Sequence, residues 1–242
     1  MALCGWAVVG SGYSWPAEAY KIMAYDTLRL LPPALSRVLW RHEDELIASV
    51  RRLDIETASR LASDAAANRL SSETLVDVDA RIERIAAMID SRRPFRDISI
   101  EFGALLRVAA DLSDPMLVGA GSPEFVRVSG EYRRFVELNL HQVPLVHDKH
   151  LPHPLNGSTI TELLRETRSS TAGSLIDISN AFWQDGRVVP AEHFDFRSIP
   201  YARFSLAYSR SVTAASYLWL AAWSRANGDF TGYRFLERDG KP

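Results

Sequence analysis

The stretch PFRDISIEFGALLRVAADL, residues 94–112, constrains the fold more than any other part of the chain. Pro94 suits the start of a helix, where its missing N–H costs nothing. Ile98, Phe102, Leu105, Ala109 and Leu112 then fall on one helical stripe, and Ile100, Gly103, Ala104 and Val108 cover much of the rest. A helix that is apolar nearly all round has to be enclosed by other elements. Within it sit Arg107 and Asp111, four residues apart and therefore on one face. They read either as an ordinary surface ion pair or as two charges held inside the protein, and the apolar surroundings favour the second.

The segments around it also have helical periodicity. Pro16 opens a helix that stops at Pro32-Pro33, and further helices are expected over 34–53 and 55–70. Ser71-Ser72 punctuate before an amphipathic helix over 74–90, and GAGSP (119–123) reads as a loop before a helix over 124–143. Residues 144–158, rich in Pro and His, read as a long loop. Thr159 and Glu162 have capping-box spacing for a helix over 159–183. A second loop spans 185–199, and Pro200 opens a last helix that ends near Asn227-Gly228. No run alternates as a strand would. The expectation is an all-α protein, a single domain of about eight helices over 15–242, packed as a bundle. Trp219 and Trp223, four apart on the last helix, are expected in the core, with a docking surface as the other reading.

At 242 residues the chain can bury one sizeable core. A net charge of −2 offers no nucleic-acid or anionic-membrane footprint. The single cysteine, Cys4, excludes an internal disulfide and every cysteine-based zinc motif. Apart from the N-terminus, the most apolar stretch, 214–223, is too short to span a bilayer. Residues 1–14 contain a short apolar run followed by small residues, without preceding basic residues. They read as a truncated signal peptide, making the protein exported, or as an N-terminal extension of a cytoplasmic one.

No GxGxxG, P-loop, HExxH or GxSxG motif occurs. His147, His150 and His153 recur every third residue, with His141 just upstream, and three imidazoles can hold zinc or copper. The segment is broken by proline and offers no regular element to orient the rings, so an exposed His-rich loop is the preferred reading.

Several stretches together resemble the superfamily of zinc-dependent phospholipases C and single-strand-specific zinc nucleases. SWPAEAYKIMAYDTLRLLPPAL has the shape of that family's first helix, with Trp15 at the position of the mature N-terminal tryptophan. RVAADLSDPML resembles the central signature, a His-x-x-x-Asp pair followed by a proline turn and a second histidine, and keeps Asp111 and Pro115. SRSVTAASYLWLAAWSRANG resembles the final helix. The resemblance implies a fold that holds three zinc ions and cleaves a phosphodiester with metal-activated water.

The chain departs from that pattern at the ligands. Tyr20 stands at the first-helix histidine position, Arg107 at the first histidine of the central motif and Leu117 at the second. Alignment on residues 135–137 places Ser129 and Arg133 where a His-x-x-x-Glu pair is expected. Trp15, Asp54 and Asp111 remain as vestigial metal positions, too few for three ions. A guanidinium cannot donate a lone pair to a metal. The expectation is a protein without a trinuclear centre or cofactor, in which Arg107, Arg133 and Tyr20 fill the emptied site or bind a small phosphate- or carboxylate-bearing ligand. Two alternatives stand beside it. One is an active phosphodiester hydrolase with one zinc site rebuilt from His147, His150 and His153, with His141, folding back onto Asp111. The other is an unrelated helical interaction protein.

Overall fold

The computed structural model describes residues 14–50, 64, 70–146 and 157–233. Those residues form an all-α domain of helices with one two-stranded hairpin. The helices are α1 (Ala17–Arg29), α2 (Pro33–Trp40), α3 (Glu43–Val50), α4 (Ser72–Asp90), α5 (Phe95–Leu112), α6 (Pro115–Val118), α7 (Pro123–Asn139), α8 (Gly157–Phe182) and α9 (Ile199–Arg225). The hairpin pairs β1 (Trp183–Gln184) with β2 (Arg187–Val188).

Helix α5 is the axis. It packs against α3, α4 and α9 and also touches α1 and α8. Ile98, Phe102, Leu105, Leu106, Ala109 and Ala110 are fully buried along it. Where α5 crosses α3 the backbones come very close: a Cβ built on Gly103 would lie 2.4 Å from the Leu46 carbonyl oxygen and 1.9 Å from Ser49 Oγ. Only glycine fits that crossing. On the other side, Trp219 of α9 is fully buried, stacks edge-on to Phe102 at 5.5 Å and donates its indole N–H to the Phe102 carbonyl at 2.8 Å. Trp223 is also buried, so both tryptophans lie on the inner face of α9.

Serines and prolines set most helix starts. Ser71, Ser122 and Ser198 accept hydrogen bonds from the first-turn amides of α4, α7 and α9. Asp114 does the same for α6, with Pro115 at its first position. Helix α9 ends in a Schellman arrangement. Asn227 has φ +51°, its N–H bonds to the Ser224 carbonyl, and the Gly228 N–H bonds to that of Trp223 at 2.8 Å.

The boundaries differ from expectation in four places. The helix expected over 34–53 is broken at Arg41-His42 into α2 and α3, where amides bond three residues back. Glu43, Asp44 and Glu45 then supply the acidic first turn that favours a new N-terminus. The loop expected at 119–123 holds a 3-10 turn, after the short helix α6. Helix α8 begins at Gly157, so Thr159 lies within its first turn and is not the cap. The loop expected over 185–199 contains β2 and a 3-10 turn over Ala191–His193. Asp185 and Gly186, with φ +50° and +75°, form the tight turn that Asp-Gly favours. The helix expected over 55–70 falls outside the described residues apart from Asp64 and Leu70. Asp64 is helical and buried; Leu70 is not helical. No helix among the described residues is long and apolar enough to cross a membrane.

Candidate functional site

Helix α5 points Arg107 and Asp111 toward α1, and the two make a close pair. The Arg107 Nε–H lies 2.8 Å from both Oδ1 and Oδ2 of Asp111. Tyr20, on the inner face of α1, donates its hydroxyl to Asp111 Oδ1 at 2.8 Å. Its ring lies under the guanidinium, with Arg107 Cζ 4.5 Å from the centroid. Arg107 Nη1 reaches the Val50 carbonyl of α3 at 3.3 Å. One arginine thus ties three helices, α1, α3 and α5, around a buried carboxylate.

A second carboxylate lies one turn further on. Asp114 is fully buried. Its Oδ1 accepts the Met116 amide at 2.8 Å and its Oδ2 the Trp15 amide at 2.6 Å. Trp15 is fixed by its side chain as well: the indole N–H donates to the Ala110 carbonyl at 3.0 Å, and the ring packs 6.0 Å from Phe204. The Tyr132 hydroxyl of α7 is fully buried near Asp114, with no hydrogen-bond partner among the described residues.

The electrostatics follow from two acids sharing one cation. Burial raises the pKa of Asp111, against the pull of the Arg107 charge and the hydroxyl of Tyr20. Burial also opposes the charge on Arg107, but Asp111, Tyr20 and Asp114 outweigh it and hold the guanidinium more firmly protonated than usual. Asp114 carries the imbalance. Burial and the nearby Asp111 push it up to about 8, against the opposing effect of two amides and Arg107. Burial and Asp111 also keep the Tyr20 phenol a neutral donor, well above its ordinary range.

The residues singled out from the sequence separate into three groups. Tyr20, Arg107, Asp111 and Trp15 converge on this cluster. Arg133 does not: it is half-buried on α7, pairs with Glu137 at 3.2 Å, and is not among the groups that act on either aspartate. Asp54, His147, His150 and His153 lie outside the described residues. Leu117 is buried and apolar, and Ser129 bonds the Val126 carbonyl of its own helix at 2.9 Å. No group of three His, Cys, Asp or Glu side chains among the described residues is arranged to hold a metal ion.

Asp114 and Tyr132 were not anticipated from the sequence. For Asp114 a signal exists: Asp before Pro at a helix start is an N-cap pattern, so its side chain is directed back at backbone amides. For Tyr132 nothing distinguishes it from the other aromatics of α7.

What the cluster can do chemically is limited by its own bonds. Nε and Nη1 of Arg107 are engaged, both Asp111 oxygens accept, and the guanidinium face is stacked. This is an arrangement for neutralising charge inside a core. The chain matches no model of a known protein family, no curated protein and no solved structure.

Proposed function

We propose that this chain is a non-catalytic descendant of the zinc-dependent phospholipase C and nuclease fold, in which arginine has taken over the charge-balancing role of the lost metal. The observation that carries this reading is the Arg107–Asp111–Tyr20 knot. Two of its three members stand where the family resemblance expects histidine ligands, and both hydrogen-bond the buried Asp111 while the guanidinium stacks on the tyrosine ring. A carboxylate buried after loss of its cation is strongly destabilising, and a fixed guanidinium one turn away removes that cost. The same bonds favour a structural role for Arg107 over capture of a phosphate or carboxylate ligand, because two of its three nitrogens are already directed at Asp111 and Val50.

Metal analysis of the purified protein, paired with assays on bis(p-nitrophenyl) phosphate and phosphatidylcholine vesicles, tests this. The expected result is well below one zinc per chain after dialysis and no hydrolysis of either substrate. Stoichiometric zinc, with cleavage that chelation abolishes, would overturn the proposal in favour of an active metal hydrolase.

A further inference from the structure

We infer that the corner where the start of α9 meets the C-terminal parts of α7 and α8 is the contact face of a homodimer, with Phe196 and Ile199 at its centre and a second copy of this chain as its occupant. The inference rests on surface chemistry and does not depend on the descent of the fold.

Exposed large apolar side chains are unevenly placed on this molecule. Among the described residues there are eleven, and six gather at this corner: Leu138, Val146, Ile176, Phe196, Ile199 and Leu206, each between 37% and 70% exposed. The other five are spread over α2, α4, α5, α7 and β1, as single surface residues ordinarily are. Local bonds put the six side by side. Ile199 and Leu206 lie two turns apart on the outer stripe of α9, with the exposed Ala202 between them. On one flank the Gln142 carbonyl accepts the Tyr201 hydroxyl at 2.7 Å and the Val146 amide donates to Ser209 Oγ at 3.0 Å, so residues 142–146 run along α9. That course carries Val146 to the stripe and brings in Leu138, one turn before Gln142. On the other flank Arg203 pairs with Asp177 of α8, the neighbour of Ile176. Phe196 lies just before Ser198, the cap of α9, and Phe194 beside it packs on Phe135, one turn from Leu138, at 6.1 Å.

Size and charge identify the occupant. At those exposures the six side chains present roughly 600 Å² of apolar surface, the upper end of what the largest patch on a monomer reaches. One side of a standard protein interface covers about 800 Å², of which roughly 500 Å² is apolar, so the patch has the size of a dimer face. Each cation at its border has an acid beside it. Arg203 pairs with Asp177, Arg210 faces Glu166, and Asp195 is two residues from Arg197. A polyanion or an anionic lipid surface therefore finds no surplus positive charge there. A second copy brings an equally apolar and equally neutral patch, and a two-fold contact needs only one surface that fits itself. Ala202, small and set between Ile199 and Leu206, lets the two α9 helices approach across that axis.

Sedimentation equilibrium of the full chain, 1–242, from about 1 to 100 μM tests this, since interfaces of standard size hold at micromolar concentration or below. The expected species has twice the 27.1 kDa mass of the chain. Ile199→Glu sets a charge from each copy into the contact and should weaken dimerisation at least ~100-fold. Phe196→Ser removes an aromatic anchor and should weaken it at least ~10-fold. Both positions are exposed, so the circular dichroism of each variant should match wild type. Val76→Glu, at an equally exposed apolar position on α4, should leave the dimer intact. A wild-type chain of monomer mass throughout the range overturns the inference, as does a dimer that Ile199→Glu and Phe196→Ser leave unweakened. A monomer that floats with vesicles of phosphatidylcholine and phosphatidylserine, and loses that binding on Ile199→Glu, would overturn it in favour of a membrane-facing surface.

Discussion

Arg107–Asp111 and Arg133–Glu137 are both arginine–acid pairs at i,i+4 spacing on helices of one domain, and they occupy opposite physical regimes. In the first, the side chains are 17% and 3% exposed, a tyrosine hydroxyl completes the carboxylate, and the guanidinium crosses to another helix. In the second they are 31% and 50% exposed and the bond stays on one helix surface. Water screens the second pair and leaves it worth a few tenths of a kcal/mol. In the first, the Asp111 carboxylate is closed off from water, so it depends on Arg107 to be tolerable. Identical spacing therefore says nothing about importance until burial is known.

The largest effect should come from Arg107→Met. It fills similar space but leaves Asp111 buried without its cation, and a loss of about 3–5 kcal/mol in denaturant unfolding is expected. A loss below about 1 kcal/mol would place the two pairs in the same class. Asp114→Asn should change the shape of the pH profile. Burial and Asp111 let Asp114 hold its proton up to about pH 8 when folded, whereas the unfolded chain releases it near 4. Between those values the folded state binds the extra proton, so stability falls as pH rises, by about 1.4 kcal/mol per unit at most. The asparagine variant should lose that slope and be the more stable protein at pH 8. Unfolding free energies measured from pH 4 to pH 8 would show it, and parallel profiles would contradict it. Tyr20→Phe removes one hydrogen bond to a charged group and should cost about 1.5–3 kcal/mol. Arg133→Ala should stay within about 0.5 kcal/mol of wild type.

Much of the fold was legible because its signals are local. Pro94, Ser71 and Pro200 mark helix starts, and the continuous apolar cover of residues 98–112 marks the central helix. The break at Arg41-His42 was not, because Leu39 and Leu46 keep their stripe across it and the close crossing at Gly103 is a tertiary fact. The hairpin was missed although Asp185-Gly186 announces it, since strands of two residues carry no alternation. At the candidate site, the spacing of Arg107 and Asp111 was visible and their burial followed from their neighbours. Asp114 was not visible as part of it. Its environment is created by Trp15, which arrives from 99 residues away in sequence, and no local pattern encodes that meeting.

The central claim is that Arg107 is present because Asp111 is, and a double-mutant cycle measures that dependence directly. Arg107→Met and Asp111→Leu should each cost several kcal/mol alone, by leaving the opposite charge buried. Together they should cost far less than their sum, with a coupling of roughly 2 kcal/mol or more, because an apolar pair of similar volume needs no compensation. Single-variant losses that simply add would mean the two charges are accommodated independently, and the account of an arginine standing in for a lost cation would fail.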